Sequence, residues 1–374
     1  MVPITEYVLK VASRCNLSCD YCYVYTMADQ SWRSRPLFPS PETVAATARR
    51  IGEHAETHGL DFVSIALHGG EPLLAGGARI ADVVTAVRRA CPPGTAVRAR
   101  VQTNGVLLDE PMLRRLRAHD VRVGVSIDGG RTQHDRHRRD HGGQGSWDAT
   151  VSALQLLRDN PDRYSGLLCV IDLANDPVEV YESLLEFAPP TVDFLLPQAN
   201  WLVPPPRNGM ETPFADWLIA VFDRWYGAPR QETGVRLFQE IIHLLLGGDS
   251  TSDQVGLSPV AYLVVDTDGS FQQADMLKST APGQPETGFN VFDHPVDAVL
   301  THPEVRARQA GIDSLADACR QCTLVRVCGG GNYTHRFGTD HGFRHPSVYC
   351  PDLTRLIHHI SDRVRSDLAV RPTH

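Results

Sequence analysis

The sequence lacks the features that mark membrane, secreted and nucleic-acid-binding proteins. No apolar run approaches the length needed to cross a bilayer, and residues 1–6 show no basic segment leading into an apolar stretch, as a secretory signal would. The formal net charge is -8, whereas a nucleic-acid-binding chain is expected to be basic. We therefore expect a cytoplasmic protein with no membrane or nucleic-acid partner.

Cysteine is absent from a long central stretch, since none lies between Cys169 and Cys319. Without a sign of export, the nine cysteines are not expected to form disulfides, so we predict metal ligands and a few free thiols. Cys91 lies beside two prolines and Cys169 lies inside an apolar strand. Both are predicted to be packing thiols.

Three cysteines, Cys15, Cys19 and Cys22, form a C-x3-C-x2-C loop near the start of the chain. Thiolates this close together suit a soft metal, but three is one fewer than a four-iron cluster takes. If such a cluster forms here, one iron is open to a non-protein ligand. A zinc site or a chance grouping is the alternative, although the loop offers no fourth Cys or His ligand.

Apolar segments alternate with helical patterns through the first 200 residues, which predicts parallel β/α units. Ser40 followed by Pro41 indicates the start of a helix. Polar motifs follow the strands, at the edge where parallel barrels carry their chemistry. We predict an α/β fold in which residues 1–200 form a partial six-unit (β/α) barrel, with strands at 6–12, 62–67, 96–101, 121–127, 167–173 and 192–196.

The remaining chain is predicted to form a linker and a smaller domain. Residues 201–213 are rich in proline, so 201–260 are interpreted as a linker with bridging helices. Residues 261–374 are predicted to be a smaller α+β domain, with a β-hairpin turning at Asp268-Gly269. This domain carries four cysteines whose spacing alone allows either zinc or an iron–sulfur cluster: Cys319, Cys322, Cys328 and Cys350.

The cysteine loop, with Tyr21 before its third cysteine, resembles that of the radical S-adenosylmethionine (SAM) enzymes. Further motifs after the predicted strands resemble that family in the same order: Gly69-Gly70-Glu71-Pro72, Gln102-Thr103-Asn104, Ser126-Ile127-Asp128 and Arg138. The resemblance implies a four-iron cluster on the loop, with the SAM methionine moiety chelating the open iron.

The same resemblance assigns SAM contacts. It implies that the edge at Gly69 and Gly70 and the Glu71 carboxylate receive the SAM ammonium group, and that the backbone near Tyr21 faces the adenine. It also implies that Ser126 and Asp128 contact polar groups of SAM and that Arg138 pairs with the SAM carboxylate. Gln102 and Asn104 are implied to line the same pocket.

The second cysteine group resembles the SPASM extension of peptide-modifying radical SAM enzymes such as the anaerobic sulfatase maturases. That extension holds two auxiliary four-iron clusters, but here Ala274 and Asn332 stand at two of the ligand positions of the first one. The resemblance therefore implies one auxiliary cluster, on Cys319, Cys322, Cys328 and Cys350, and two [4Fe–4S] clusters in total.

Asp275 matches a carboxylate that serves as the proposed base in the sulfatase maturases, although it is equally explained as a hairpin-end Asp that satisfies its own turn. The resemblance implies that a 5′-deoxyadenosyl radical abstracts a substrate hydrogen, that the auxiliary cluster accepts an electron and that Asp275 accepts a proton. It also implies an electron donor such as a flavodoxin or ferredoxin.

Over the whole length the chain resembles the FxsB-type maturases of FxSxx-COOH peptide systems, which modify a ribosomally made precursor peptide. We therefore predict a C–C cross-link, a three-residue cyclophane, between an aromatic ring and the β-carbon of a nearby residue. The alternatives are a thioether cross-link, epimerisation, Ser/Cys oxidation, or an inactive metal-stapled barrel that binds peptide. The resemblance lies in Phe194-Leu195-Leu196-Pro197, Asp266-Thr267-Asp268-Gly269-Ser270, Cys328-Gly329-Gly330-Gly331, His335-Arg336-Phe337 and Pro346-Ser347-Val348-Tyr349-Cys350.

Overall fold

The computed structural model describes residues 1–370, so the last four residues of the predicted smaller domain lie outside the described part. The chain divides into two compact units. One contains residues 1–127, 131–168 and 260–309, and the other contains residues 128–130, 169–259 and 310–370. This division differs from the predicted segments because the strand that follows residue 260 pairs with the first strand of the chain.

Strands and helices alternate through the first 200 residues, which confirms the predicted parallel β/α fold. The strands are β1 (Glu6–Ala12), β2 (Phe62–Gly69), β3 (Ala96–Thr103), β4 (Val121–Ser126), β5 (Tyr164–Val170), β6 (Thr191–Leu195), β7 (Gly234–Val235), β8 (Tyr262–Val265), β9 (Ser270–Gln272) and β10 (Glu286–Asn290). The α-helices are α1 (Pro41–Thr57), α2 (Gly76–Ala90), α3 (Glu110–Ala118), α4 (Arg131–His137), α5 (Trp147–Arg158), α6 (Pro177–Leu185), α7 (Pro213–Tyr226), α8 (Arg236–Leu245), α9 (Val296–Val299), α10 (Pro303–Gln309), α11 (Asp317–Arg320), α12 (Val325–Cys328) and α13 (Cys350–Val370).

The sheet of the first unit runs in the order β10-β9-β8-β1-β2-β3-β4-β5. The pairs from β8 to β5 are parallel, whereas β9 pairs antiparallel with both β8 and β10. Val63, Ile65 and Leu67 of β2 are fully buried, as expected for a central strand of a parallel sheet that is covered on both faces. The parallel register brings the carboxyl ends of β1, β2 and β3 to one edge.

Local signals in the sequence explain how the first unit starts its helices and turns. Ser40 Oγ accepts a hydrogen bond from the Thr43 N–H at 3.1 Å, so the predicted helix start is confirmed. The predicted hairpin is confirmed by β8 and β9, with Gly269 in the left-handed region at φ +86°. Helix α4 was missed because its run of basic and His residues has no apolar period.

The second unit packs aromatic side chains between its helices. Phe214 of α7 meets Tyr349 edge-on, with ring centroids 5.0 Å apart, and both are buried. Asp352 of α13 accepts hydrogen bonds from the Phe214 and Ala215 N–H groups at the start of α7. Strands β6 and β7 also pair in this unit, in parallel. Within residues 1–370, no helix combines the length and apolar composition that crossing a membrane requires.

Candidate functional site

The cysteine loop leaves the end of β1 and holds Cys15, Cys19 and Cys22 half-buried. The Leu17 N–H donates to Cys15 Sγ at 3.4 Å. Burial, with the neighbouring Glu71, Cys19 and Cys22 charges, raises the pKa of Cys15 to about 12, although the Leu17 hydrogen bond opposes the rise. Burial likewise raises the pKa of Cys22. A bound cation is therefore needed to keep these groups as thiolates, so the donor set fits a metal centre.

The thiols of the two cysteine groups lie farther apart than they would around a single zinc ion. Within residues 1–370, only His54, His58 and Asp297 form a group of three or more ligand atoms that all lie within 4.8 Å of one another. A zinc ion with Zn–S bonds of about 2.3 Å would draw its thiolates to roughly 3.8 Å from one another. Neither cysteine group has that arrangement, whereas a cluster spreads its thiolates over several irons.

The His54, His58 and Asp297 group is a hydrogen-bonded structural contact. The Ile4 N–H donates to His54 Nε2 at 3.0 Å, which occupies the ring lone pair. The ring proton then lies on His54 Nδ1, which faces Asp297 Oδ2 at 3.2 Å. His54 therefore has no lone pair left for a metal ion.

Two glycines allow the end of β2 to approach the cysteine loop. The Gly70 N–H donates to the Ala12 carbonyl oxygen at 2.9 Å, and the Glu71 N–H donates to the Arg14 carbonyl oxygen at 2.9 Å. A Cβ at Gly69 would lie 2.0 Å from the Ala12 carbonyl oxygen, and one at Gly70 would lie 2.4 Å from that of Arg14. Only glycine fits at these two positions.

Glu71 joins the ends of β2 and β3 below the cysteine loop. Its Oε1 accepts hydrogen bonds from the Leu73 N–H at 2.9 Å and from the Thr103 hydroxyl at 2.6 Å, and its Oε2 accepts from the Asn104 N–H at 2.8 Å. Burial raises the pKa of this carboxyl, and the three donors oppose the rise. Both lone pairs of Oε1 are occupied, so Oε2 keeps one acceptor position that an ammonium group could take.

The polar residues after β3 and β4 form a chain of contacts that reaches the cysteine loop. Asn104 Nδ2 donates to Asn16 Oδ1 at 2.8 Å and lies 3.8 Å from Cys15 Sγ. Gln102 Nε2 donates to Ser126 Oγ at 3.0 Å. The structure therefore brings these predicted residues together and adds Asn16, which the sequence analysis missed because an amide inside a cysteine loop carries no separate pattern.

Two further predicted SAM contacts, Arg138 and Asp128, are buried. In the first unit, the Arg138 guanidinium carbon lies 5.6 Å from the centre of the Tyr21 ring, and its charge opposes the burial that raises the pKa of Cys22. In the second unit, Asp128 is 3% exposed and its Oδ1 accepts a hydrogen bond from the Val170 N–H at 3.0 Å. Each side chain is thus held in place by its own unit.

The four C-terminal cysteines surround one cavity in the second unit. Its volume is about 80 Å³, several times the ~10–15 Å³ that a single water molecule occupies on the same measure. Burial, with the neighbouring Cys350 and Cys319 charges, raises the pKa of Cys328 to about 11. The cavity fits a multi-atom cationic group that is bound by four thiolates. Its lining includes Cys319, Cys322, Cys328 and Cys350.

Arg336 fixes the turn that follows Cys328, a role that the sequence did not indicate. Its guanidinium donates to the carbonyl oxygens of Gly329 at 2.7 Å, Gly330 at 3.0 Å and Gly331 at 2.6 Å. All three glycines have positive φ, which allows this tight turn. The arginine charge also opposes the burial that raises the pKa of Cys328.

Replacing Arg336 with Met leaves the three glycine carbonyls without their donor. We expect the free energy of unfolding to fall by about 2–4 kcal/mol, because buried acceptors without partners are costly. Guanidinium unfolding under anaerobic conditions measures the change. Arg326→Met is the matched control, since Arg326 is exposed on α12; an equal loss in both variants would contradict the role of Arg336.

The two positions where SPASM cysteines are absent have structural roles. Asn332 Oδ1 accepts hydrogen bonds from the Thr334 N–H at 3.0 Å and from the Thr334 hydroxyl at 2.8 Å. Ala274 is 1% exposed and packs in the core. Cys91 and Cys169 are also buried, as predicted for packing thiols.

Asp275 lies in the first unit, where its carboxylate contacts Lys10 and His68. Lys10 Nζ lies 2.5 Å from its Oδ1, and His68 Nδ1 lies 3.5 Å from its Oδ2. Burial alone would raise the pKa of Asp275, but Lys10, His68 and Lys278 bring it well below its usual range. Within residues 1–370, neither carboxylate oxygen has a well-aligned hydrogen-bond donor. The alternative that Asp275 satisfies its own turn is therefore not supported.

Comparisons with known proteins agree with this geometry. Residues 9–184 match the Radical SAM superfamily. The chain is 22% identical to a cysteine-type anaerobic sulfatase-maturating enzyme of Clostridium perfringens, covering 97% of this chain and 98% of that one. It is 24% identical to a serine-type enzyme of the same name from Klebsiella aerogenes, covering 89% and 80%.

Solved structures show the same fold. The structure of native anSMEcpe with bound AdoMet superimposes with a TM-score of 0.84 at 21% identity, covering 98% of this chain and 100% of that one. Streptococcus suis SuiB bound to the precursor peptide SuiA gives a TM-score of 0.63 at 14% identity, covering 93% and 76%. Together with the three-thiol loop and Glu71, the match of residues 9–184 to the Radical SAM superfamily and the similarity to sulfatase-maturating enzymes indicate an oxidoreductase that uses S-adenosylmethionine, and that superfamily implies a [4Fe–4S] cluster.

Proposed function

We propose that this enzyme is an FxsB-type maturase that forms a three-residue cyclophane in a ribosomally made precursor peptide. The observation that carries the proposal is a buried Asp275 carboxylate, held ionised by Lys10 in the unit that also contains the three-thiol loop. A peptide substrate is supported by relatives named as sulfatase-maturating enzymes and by the SuiB structure with its precursor peptide. Asp275 supports a radical oxidation of the peptide in general, and the choice of a cyclophane among such oxidations is supported by the sequence resemblance.

The cysteines and polar residues described above would bind three groups, namely two clusters and SAM. Cys15, Cys19 and Cys22 would hold one [4Fe–4S] cluster, which together with SAM would supply the radical chemistry that removes one hydrogen atom from the substrate. The four-cysteine cavity would hold a second cluster, which supplies an electron acceptor. SAM itself would be bound by Tyr21, Gly69, Gly70, Glu71, Gln102, Asn104, Ser126, Asp128 and Arg138.

The chain's own acid–base group completes the balance of the reaction. Joining a β-carbon to an aromatic ring carbon removes two hydrogens in total. One leaves the β-carbon as a hydrogen atom, and the other leaves the ring carbon as a proton and an electron. Asp275 would accept the proton, since its carboxylate is ionised and has an oxygen without a well-aligned donor.

Mass spectrometry of a synthetic peptide ending in Phe-x-Ser-x-x tests the proposal, with the anaerobically reconstituted enzyme, SAM and reduced flavodoxin or ferredoxin as electron donor. We expect the loss of two hydrogens and no fragmentation between the Phe and Ser residues. Unchanged mass with an altered stereocentre would indicate epimerisation instead, and an aldehyde would indicate Ser oxidation. A thioether needs a Cys-containing peptide. No modification and no SAM cleavage would support an inactive peptide-binding barrel.

A further inference from the structure

Lysine is almost absent from this chain, and both lysines lie near Asp275. Only Lys10 and Lys278 are lysines among its 36 lysine and arginine residues. Both are buried, at 5% and 0% exposure, although lysine is among the residues least often buried. Each belongs to the first unit, and each charge lowers the pKa of Asp275. The two positions that keep a compact ammonium group therefore surround the proposed proton acceptor.

Lys10 makes the direct contact with Asp275. Its Nζ lies 2.5 Å from Asp275 Oδ1 and 3.9 Å from Asp266 Oδ2. Asp266 has a second cation, because Arg35 Nε lies 3.5 Å from the same oxygen. Asp275 is therefore the main ion-pair partner of Lys10. The backbone of Lys10 is fixed because β1 pairs with β2 and places Lys10 opposite His68.

Lys278 is paired with a different carboxylate. Its Nζ lies 3.6 Å from Asp29 Oδ1 and donates to Ser31 Oγ at 3.2 Å. Burial lowers the pKa of Lys278, and the Lys10 charge lowers it further. Lys278 therefore provides a matched buried lysine whose removal leaves the Lys10–Asp275 contact in place.

His68 is the most exposed of the three side chains Lys10, His68 and Asp275. Its side chain is 27% exposed, compared with 4% for Lys10 and 8% for Asp275. His68 Nδ1 lies 3.5 Å from Asp275 Oδ2 and has no hydrogen-bond partner within residues 1–370. A small movement of either side chain would form a hydrogen bond along which a proton can pass.

We propose that Lys10 is the positioning residue that holds Asp275 ionised and aimed at the substrate, and that His68 carries the proton from Asp275 towards solvent. This inference rests on the proposed function. In the step concerned, the substrate would lose one proton to Asp275, which would pass it to His68, and the group bound by Cys319, Cys322, Cys328 and Cys350 would supply the acceptor for the one electron that is released. Because the Lys10 ammonium favours the ionised form of Asp275, it favours transfer of the proton from Asp275 to His68.

Substitutions separate this step from the earlier hydrogen abstraction. The peptide ending in Phe-x-Ser-x-x is prepared with deuterium on the Ser β-carbon, and the ratio of cross-linked peptide to 5′-deoxyadenosine is measured. For Lys10→Met and His68→Ala, we expect deuterium still to reach 5′-deoxyadenosine while the ratio falls by about a hundredfold, the typical contribution of a general base. Arg50→Met, which removes hydrogen bonds to Glu53 and to the Val291 and Phe292 carbonyls and leaves every group around Asp275 in place, should change the ratio by less than about threefold. Added imidazole should raise the ratio of cross-linked peptide to 5′-deoxyadenosine in His68→Ala towards the wild-type value.

Nuclear magnetic resonance of the ¹⁵N-lysine-labelled enzyme reports the ion pair without using activity. Two side-chain ammonium signals are expected, since the chain has two lysines. Asp275→Asn should shift the Lys10 signal strongly and the Lys278 signal less, and Asp29→Asn should do the reverse. The role of Lys10 would be overturned if its ammonium signal did not shift in Asp275→Asn. It would also be overturned if Lys10→Met gave the wild-type ratio of cross-linked peptide to 5′-deoxyadenosine.

The remaining outcomes are also distinct. Loss of product in His68→Ala without rescue by imidazole would overturn the proton route. If the wild-type enzyme transfers deuterium but forms no cross-link, the proposed function fails, and the lysine signals still decide whether Lys10 holds Asp275 ionised. Lys10→Met should keep the single ammonium signal of Lys278, and Lys278→Met should keep the single signal of Lys10, which confirms that each variant folds.

Discussion

Replacing Cys15, Cys19 and Cys22 together with alanine abolishes cleavage of SAM and lowers the bound iron by about four atoms per chain. The reason is that these thiols form the only cysteine loop at the ends of the parallel strands described here, next to Asn104 and the free acceptor position of Glu71. Chromatography of 5′-deoxyadenosine after reduction with dithionite measures cleavage, and colorimetric assay measures iron. The result should be complete loss, because alanine offers no iron ligand at any of the three positions.

The matched control for this variant is Cys91→Ala combined with Cys169→Ala. Both thiols are buried, at 9% and 1% exposure, and were predicted to be packing groups. We expect this double variant to keep its iron and its SAM cleavage. Formation of 5′-deoxyadenosine by the triple variant at the wild-type rate would show that the loop is not the radical-generating site.

Replacing Cys319 and Cys322 with alanine removes product formation while SAM cleavage continues. These two thiols line the four-cysteine cavity with Cys328 and Cys350. Without the second cluster, the electron from the substrate radical has no assigned acceptor, so we expect cross-linked peptide to fall below about one hundredth of the wild-type yield. The amounts of cross-linked peptide and 5′-deoxyadenosine are measured in the same reaction.

Asn332→Ala is the control for the four-cysteine site. Asn332 lies close in sequence to Cys328, but within residues 1–370 its side chain accepts hydrogen bonds from Thr334 alone. Loss of that cap should cost about 1 kcal/mol of stability and leave the product ratio unchanged. A cysteine variant that forms cross-link at the wild-type rate would assign the second cluster a purely structural role.

Periodic and local signals made much of the first unit predictable. The apolar strands, the Ser40 cap and the Asp268-Gly269 turn each depend on residues close in sequence. The cysteine loop and Glu71 were also predictable, because their motifs are short and contiguous. The structure adds that Glu71 is already held by three donors and offers a single remaining acceptor position.

The contacts that distant residues make were not predictable. Lys10 and Asp275 are 265 positions apart and meet only because β8 pairs with β1 and brings the following hairpin to the same edge. The sequence around a single lysine in an apolar strand does not indicate whether its side chain is exposed or pairs with a distant carboxylate. Arg336 was missed for the same reason, since its contacts are to carbonyl oxygens that any residue possesses.

The central claim is that one cluster lies on the three-cysteine loop and a second lies on the four C-terminal cysteines. Iron, sulfide and zinc are therefore counted after anaerobic reconstitution of the wild type, the Cys15/Cys19/Cys22→Ala variant and the Cys319/Cys322→Ala variant. We predict about eight irons in the wild type and about four in each variant, with no zinc. About four irons and one zinc in the wild type, with iron lost entirely from the loop variant, would contradict the claim and make the second site a zinc centre.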